Sequence, residues 1–305
     1  MNYGLPYQGS KSKIACKLVE FLPCADTFVD MFAGGCAVTH VAMLSGKYNN
    51  YVANDISDAP TLFNDAINGK YADEKRWISR DTFFAEKDEN PYVRICWSFG
   101  NNQQDYMYSK EIEPWKKALH YARVCNDTSL LQDMGLDIDG SRENIKAHEV
   151  EIREIFPNVG GEQLESLQRL PSLQSLLRLQ SLQRLQSLQS LQISRKDYRD
   201  VEIPKGSVVY CDPPYNTASS RAKHDYVTEF DFEAFYDWCS TVTVPLIISE
   251  YSLPEDRFVA VWQRRKQCNI AAAKSATVLE KMFVPRTQLD MWRDLTTDLF
   301  MGEYE

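Results

Sequence analysis

The sequence predicts an α/β protein in which a doubly wound sheet of parallel strands is interrupted by a mainly helical insertion. Three observations carry the prediction. Short apolar runs end in or beside an acidic residue followed by turn chemistry, at Thr27–Asp30, Tyr51–Asn54 and Ser207–Cys211. Two of these runs lead into helical patterns, Cys36–Ser45 and Ser57–Asn68. Residues 81–160, aromatic-rich and charged, abandon that alternation.

The N-terminal elements supply strand, glycine turn, helix and second strand, the order of a doubly wound sheet. The pattern resumes late in the chain. Ser207–Cys211 is a third strand, Phe230–Ser240 a helix, and Val244–Ser249, Phe258–Trp262 and Val278–Val284 further strands. The sheet domain is therefore expected from residues 1–80 and 200–305, and an inserted domain from residues 81–199. Pro114–Val124 reads as a helix within the insertion.

The insertion ends in a repeat. Leucine recurs at every third residue from Leu164 to Leu191, with Gln, Ser and Arg as the main spacers. On an α-helix such a stripe winds around the axis by roughly −60° per repeat. A 3₁₀-helix would align it, but long 3₁₀ runs are uncommon, and a strand would send successive leucines to opposite faces. Composition favours helix, with Pro171 as a break or a start.

Composition bounds the function. At 305 residues and 44% hydrophobic content the chain holds a packed core. No apolar run approaches the length of a membrane span, and the N-terminal stretch MNYGLPYQGSKSK lacks the apolar centre of a signal peptide. A protein that works in the cytoplasm, away from membranes, is expected. The eight cysteines form no C-x-x-C pair and do not cluster with the four histidines, so neither a metal site nor a disulfide framework is expected. The net charge of −9 argues against a purely electrostatic binder of nucleic acid. Basic residues do gather locally, at Arg169–Arg199 and Arg264–Lys266, where phosphates could be held.

Two motifs carry chemistry. In Asp30-Met31-Phe32-Ala33-Gly34-Gly35 a strand enters a glycine turn, which lets backbone approach a ligand closely. Asp55 follows at the end of the next strand, twenty residues beyond Gly35, where a nucleotide-binding sheet places the carboxylate for ribose hydroxyls. The turn is neither a P-loop nor a full dinucleotide fingerprint, so a nucleoside-type cofactor fits it best. In Asp212-Pro213-Pro214-Tyr215 a strand ends in a rigid turn rich in acceptors. The Asp212 carboxylate and the Pro213 carbonyl could accept both hydrogens of an exocyclic amino group and free its lone pair for attack, while Tyr215 stacks on the base. A base treated this way must leave the duplex.

Together these motifs resemble the Dam-like DNA adenine-N6 methyltransferases of bacteria and phages. Pro6-Tyr7-Gln8-Gly9-Ser10-Lys11 is similar to their opening cofactor motif, Asp30–Gly35 to the glycine motif and Asn54-Asp55 to the acidic motif. Asp212–Tyr215 is similar to the catalytic tetrapeptide, and Leu246–Tyr251 and Glu280–Val284 to the late strands. The resemblance implies a Rossmann-like methyltransferase sheet with a target-recognition insertion, S-adenosylmethionine as cofactor and double-stranded DNA as partner. It places Tyr7, Lys11, Asp30, Phe32, Gly34, Gly35, Asp55 and Asp212 around the cofactor, with Lys11 pairing its carboxylate. It makes Asp212, Pro213, Pro214 and Tyr215 catalytic. Ser10 stands where a second glycine is common, and the repeat has no counterpart in the pattern. In the insertion, Trp97–Asn102, Tyr106 and Tyr108 suit base reading and stacking, with packing as the expected role for most of the aromatics.

Other readings remain open on the sequence. Cytosine-N4 methylation needs the same amino chemistry, although Asp212 favours adenine. RNA could enter a similar pocket. A non-catalytic DNA-binding protein could keep the fold, and the leucine repeat could serve oligomerisation.

Overall fold

A computed structural model of the chain describes residues 2–155, 167–188, 190–215, 230–268 and 276–295. The chain divides into two compact units, one of residues 1–4, 11–61 and 187–305, the other of residues 5–10 and 62–186.

The first unit is built on a seven-stranded sheet in the order β3-β2-β1-β4-β5-β7-β6. Its strands are β1 Thr27–Asp30, β2 Asn50–Asn54, β3 Leu191–Ser194, β4 Ser207–Cys211, β5 Leu246–Glu250, β6 Phe258–Cys268 and β7 Ala276–Pro285. The first five run parallel to one another, and β7 runs antiparallel to β5 and β6. The predicted Rossmann-like α/β sheet is thus present. β1, β4 and β5 are buried at every residue, which is why they read as unbroken apolar runs and not as alternations. On one face Val29, Met31, Val209 and Cys211 pack against Phe235, Tyr236 and Cys239 of the helix Phe232–Thr241. Asp231 caps that helix by accepting from the Ala234 N–H at 3.0 Å. Two further helices, α1 (Ala15–Phe21) and α2 (Ala37–Ser45), pack on each other.

Two differences from the sequence reading have physical causes. β6 runs on to Cys268, well beyond Trp262, because β7 pairs with it along the whole length of a hairpin, with a bulge between Ala260 and Trp262. β3 was not foreseen at all: Leu191–Ser194, within the span expected to form the insertion, pairs in parallel with β2. It is a half-exposed edge strand with one leucine of the repeat at its start, so neither burial nor periodicity marks it.

In the second unit Trp77 stacks on Tyr108 at 5.5 Å and meets Trp97 edge-on at 5.1 Å. The helix expected at Pro114–Val124 is α-helical over Glu113–His120 and then widens into a π turn, Tyr121–Cys125, stopped by Asn126 in the left-handed region.

The leucine repeat resolves its mismatch by changing helix type. Pro171–Ser181 is an α-helix with proline at its start, and Leu182–Leu188 is a 3₁₀-helix. Leu176 and Leu179 are buried on the first, and Leu182 and Leu185 on the second. A short α-helical stretch keeps its stripe on one face before the drift accumulates; three residues per turn then hold it there. Leu177, off the period, is exposed. These leucines are spent on the chain's own core and are not presented to a partner. Leu164 lies outside the described residues. Among those residues no helix is long and apolar enough to cross a membrane.

Candidate active site

The strand order reverses at β1 and β4, which lie side by side with Asp30 opposite Tyr210. In an open parallel sheet the crevice at the carboxyl ends of such a pair is where ligands bind. Asp30, the glycine turn, Asp55 and Asp212 all fall at that end of β1, β2 and β4.

Asp30 closes β1 and is buried. Its Oδ2 accepts from the Thr39 hydroxyl at 2.6 Å and from the Thr39 N–H at 3.3 Å. Its Oδ1, equally buried, has no hydrogen-bond partner among the described residues. Burial pushes the carboxyl up to about 7, with the charges of Asp212 and Asp55 adding and the Thr39 bonds opposing.

The chain then turns sharply. Gly34 and Cys36 both have positive φ, 46° and 56°, and Cys36 delivers the backbone into α2. Asp55 ties the turn to the end of β2: its Oδ2 accepts from the Gly34 N–H at 2.8 Å and its Oδ1 from the Ser57 N–H at 2.9 Å. Next to it Ile56 is 79% exposed, an apolar side chain left open at the mouth of the crevice. The N-terminal segment presses on the same turn. Gly4, at φ 68°, donates its N–H to His40 Nδ1 at 3.0 Å, and a Cβ there would stand 2.3 Å from the Gly35 carbonyl oxygen. Phe32 packs on Tyr198, Phe230 and Phe235, with ring centroids 5.6 to 5.9 Å apart.

Asp212 follows β4. Lys11, on the 3₁₀ turn Lys11–Lys13, places its Nζ 2.6 Å from each Asp212 carboxylate oxygen and 3.4 Å from Glu280 Oε1 on β7. Burial by itself lowers a lysine, but the two carboxylates outweigh it and the ammonium is held above its ordinary range. The same Nζ sits 4.6 Å from the centre of the Tyr215 ring. The Tyr215 hydroxyl donates to Glu280 Oε1 at 3.0 Å, and the ring meets Tyr251 edge-on at 4.6 Å. Burial pushes the Tyr215 hydroxyl well up, so it stays protonated as a donor. Pro213 is buried and Pro214 half-buried, which fixes the turn between acid and ring.

The structure thus gathers Lys11, Asp30, Phe32, Gly34, Gly35, Asp55 and Asp212–Tyr215 in the first unit, while Tyr7 lies, half-buried, in the second. Within the insertion Trp97, Tyr106 and Tyr108 are buried packing aromatics, and Phe99 stands 65% exposed. Asn101 and Asn102 are occupied by their own loop, on Ile95 O at 3.1 Å and Asp105 Oδ2 at 2.8 Å. Sequence reasoning missed Gly4, Ile56 and the site role of Glu280. Only the glycine carried any signal, and a single glycine near the N-terminus is too weak to use.

The sequence model of a family described as D12 class N6 adenine-specific DNA methyltransferase matches residues 7–129 and 173–242. The Retron Ec67 DNA adenine methylase of Escherichia coli is 27% identical over 257 residues, covering 80% of this chain and 75% of that protein.

Proposed function

The chain belongs to the D12 class N6 adenine-specific DNA methyltransferase family, and from that premise we propose that its methyl donor is S-adenosylmethionine, held at the carboxyl ends of β1 and β2, and that Asp212–Tyr215 present the adenine. The protein is an enzyme that methylates adenine N6 in DNA.

The observation that carries the cofactor reading is Asp30 Oδ1, a buried acceptor with no protein partner among the described residues. A buried carboxylate half-satisfied by Thr39 and pushed up to about 7 needs a cation, and the α-ammonium of the cofactor is one. Gly34 and Gly35 bring backbone close, Asp55 retains lone pairs for ribose hydroxyls, and exposed Ile56 offers the adenine ring an apolar face. Lys11 and Phe32 complete the proposed surround within the first unit. Bound there, S-adenosylmethionine supplies an electrophilic sulfonium methyl.

The chain's own residues do the rest. The lone pair of adenine N6 is delocalised into the ring, so N6 attacks poorly as it stands. Asp212 and the Pro213 carbonyl accept its two hydrogens and draw the nitrogen towards a tetrahedral shape. As the N–C bond forms and the methyl–sulfur bond breaks, with S-adenosylhomocysteine as the leaving group, positive charge would grow on N6 beside the Asp212 carboxylate, which stabilises it until one N6 proton is lost to solvent. Tyr215, braced by Glu280 and Tyr251, stacks on the base. Double-stranded DNA is the proposed partner, with the adenine flipped out of the helix and the second unit as target-recognition domain. The cytoplasm is its proposed place of work.

The test is methyl transfer to unmethylated plasmid DNA, with the nucleosides resolved by mass spectrometry. Wild type yields N6-methyladenine; Asp212→Ala yields none yet binds S-adenosylmethionine. Turnover retained by Asp212→Ala would overturn the assignment.

A further inference from the structure

We propose that Glu280 is a positioning residue for the transfer: a buried second seat that takes the Lys11 ammonium when the adenine amino group claims Asp212. The proposal rests on the catalytic reading of Asp212 and Tyr215 above. Glu280 lies on β7, opposite Arg264 of β6, beyond the last residue of the family match at 242, and only 1% of it is exposed.

The geometry poses a problem and supplies its answer. With Lys11 at 2.6 Å from both Asp212 oxygens, the negative potential that should meet adenine is neutralised and its best acceptor directions are occupied. Lys11 is itself only 7% exposed, so an ammonium displaced by the substrate has no water to retreat to, and an unpaired buried ammonium is strongly disfavoured. Glu280 Oε1, already 3.4 Å away, is a carboxylate within a small rotation of the side chain. The same oxygen accepts the Tyr215 hydroxyl, and the Tyr215 ring lies beneath the ammonium. Movement of Lys11 towards Glu280 therefore frees Asp212 and tightens the support of the stacking ring in one step. The negative charge of Glu280 is what the step requires. Bracing of Tyr215 alone would need only an acceptor.

Glu280→Gln separates the two roles, because the amide oxygen still accepts from the Tyr215 hydroxyl but holds no charge for Lys11. With Lys11 left on Asp212 as a competitor, kcat is expected to fall roughly tenfold to a hundredfold while KM for DNA and Kd for S-adenosylmethionine stay within about threefold. Glu280→Asp, which restores the charge one methylene short, is expected to recover part of the loss. Wild-type kcat in Glu280→Gln, or equal losses in the Gln and Asp variants, overturns the proposal. Asp212→Asn is measured beside them. If it turns over normally, the catalytic reading itself falls; if it is dead while Glu280→Gln is fully active, only the present proposal falls. Should Glu280→Gln fail to fold, the wild-type enzyme crystallised with adenine-containing DNA and S-adenosylhomocysteine decides. Lys11 bonded to Glu280 and clear of Asp212 supports the proposal. Lys11 still bridging both Asp212 oxygens, or bonded to the cofactor carboxylate, overturns it.

Discussion

Lys11 and Asp212, 201 positions apart in the chain, meet with the ammonium 2.6 Å from both carboxylate oxygens. The pair joins the 3₁₀ turn Lys11–Lys13 to the end of β4, so that turn and Asp212–Tyr215 form one electrostatic unit.

Asp212→Ala removes the proposed acceptor for the amino group and leaves Lys11 with Glu280 as its carboxylate. Methylation is expected to fall by roughly a hundredfold to a thousandfold, the scale seen when preorganised charge stabilisation is lost. Binding of S-adenosylmethionine, followed by calorimetry, is expected to stay within about threefold, because the residues on β1 and β2 proposed to hold the cofactor are untouched.

As the proposed counter-ion, Asp30 is expected to give cofactor binding a pH dependence. Its carboxyl, pushed up to about 7 by burial, is largely protonated below that value and cannot then act as counter-ion. Affinity for S-adenosylmethionine is expected to rise as pH climbs through about 7, with proton release on binding. In the cofactor-free protein the sign is opposite: a carboxyl raised in the fold favours the folded state at low pH, so stability declines from the unfolded pKa up to about 7 and then levels. Titration calorimetry in two buffers of different ionisation heat and thermal melts across pH 5 to 8 check both. Asp30→Asn is expected to bind weakly without the rise.

Gly4→Ala tests the close approach at the glycine turn. A methyl there collides with the Gly35 carbonyl and α2 backbone at a positive φ, so the N-terminal segment must lift. A loss of about 2 kcal/mol or more is expected, from left-handed strain and overpacking together, with weakened cofactor binding. Gly46→Ala, also at positive φ but with nothing within 4 Å, is expected to lose only the strain. Equal melting temperatures for the two variants would show that the contact is unimportant.

Leu182→Ala and Leu185→Ala are each expected to destabilise the second unit by about 2–5 kcal/mol, the cost of a buried leucine and the cavity it leaves. Leu177→Ala, at an exposed position of the same repeat, is expected to change stability by less than about 0.5 kcal/mol. Urea denaturation reads the contrast, which fails if the stripe is an exposed interface.

Much of the fold was legible because its signals are local. β1, β2 and β4 carry apolar runs that end at Asp30, Asn54 and Cys211, and burial on both faces leaves no polar alternation to confuse them. β3 and the 3₁₀ run were not legible. An edge strand has only one paired side to write into its composition, and a three-residue period drifts on an α-helix and alternates on a strand, while the 3₁₀-helix that fits it is uncommon in long runs.

The sequence by itself determined the α/β sheet, the glycine turn with Asp55 behind it, and the Asp212–Tyr215 turn, since each depends on residues close together in the chain and on backbone geometry that Gly and Pro dictate. Tertiary structure alone decided that Gly4 lies against Gly35, that Asp30 keeps one oxygen unpaired among the described residues, and that Lys11 stands between Asp212 and Glu280. Those contacts join distant strands, and strand order and register, which no local pattern encodes, determine which side chains share a buried, weakly screened space.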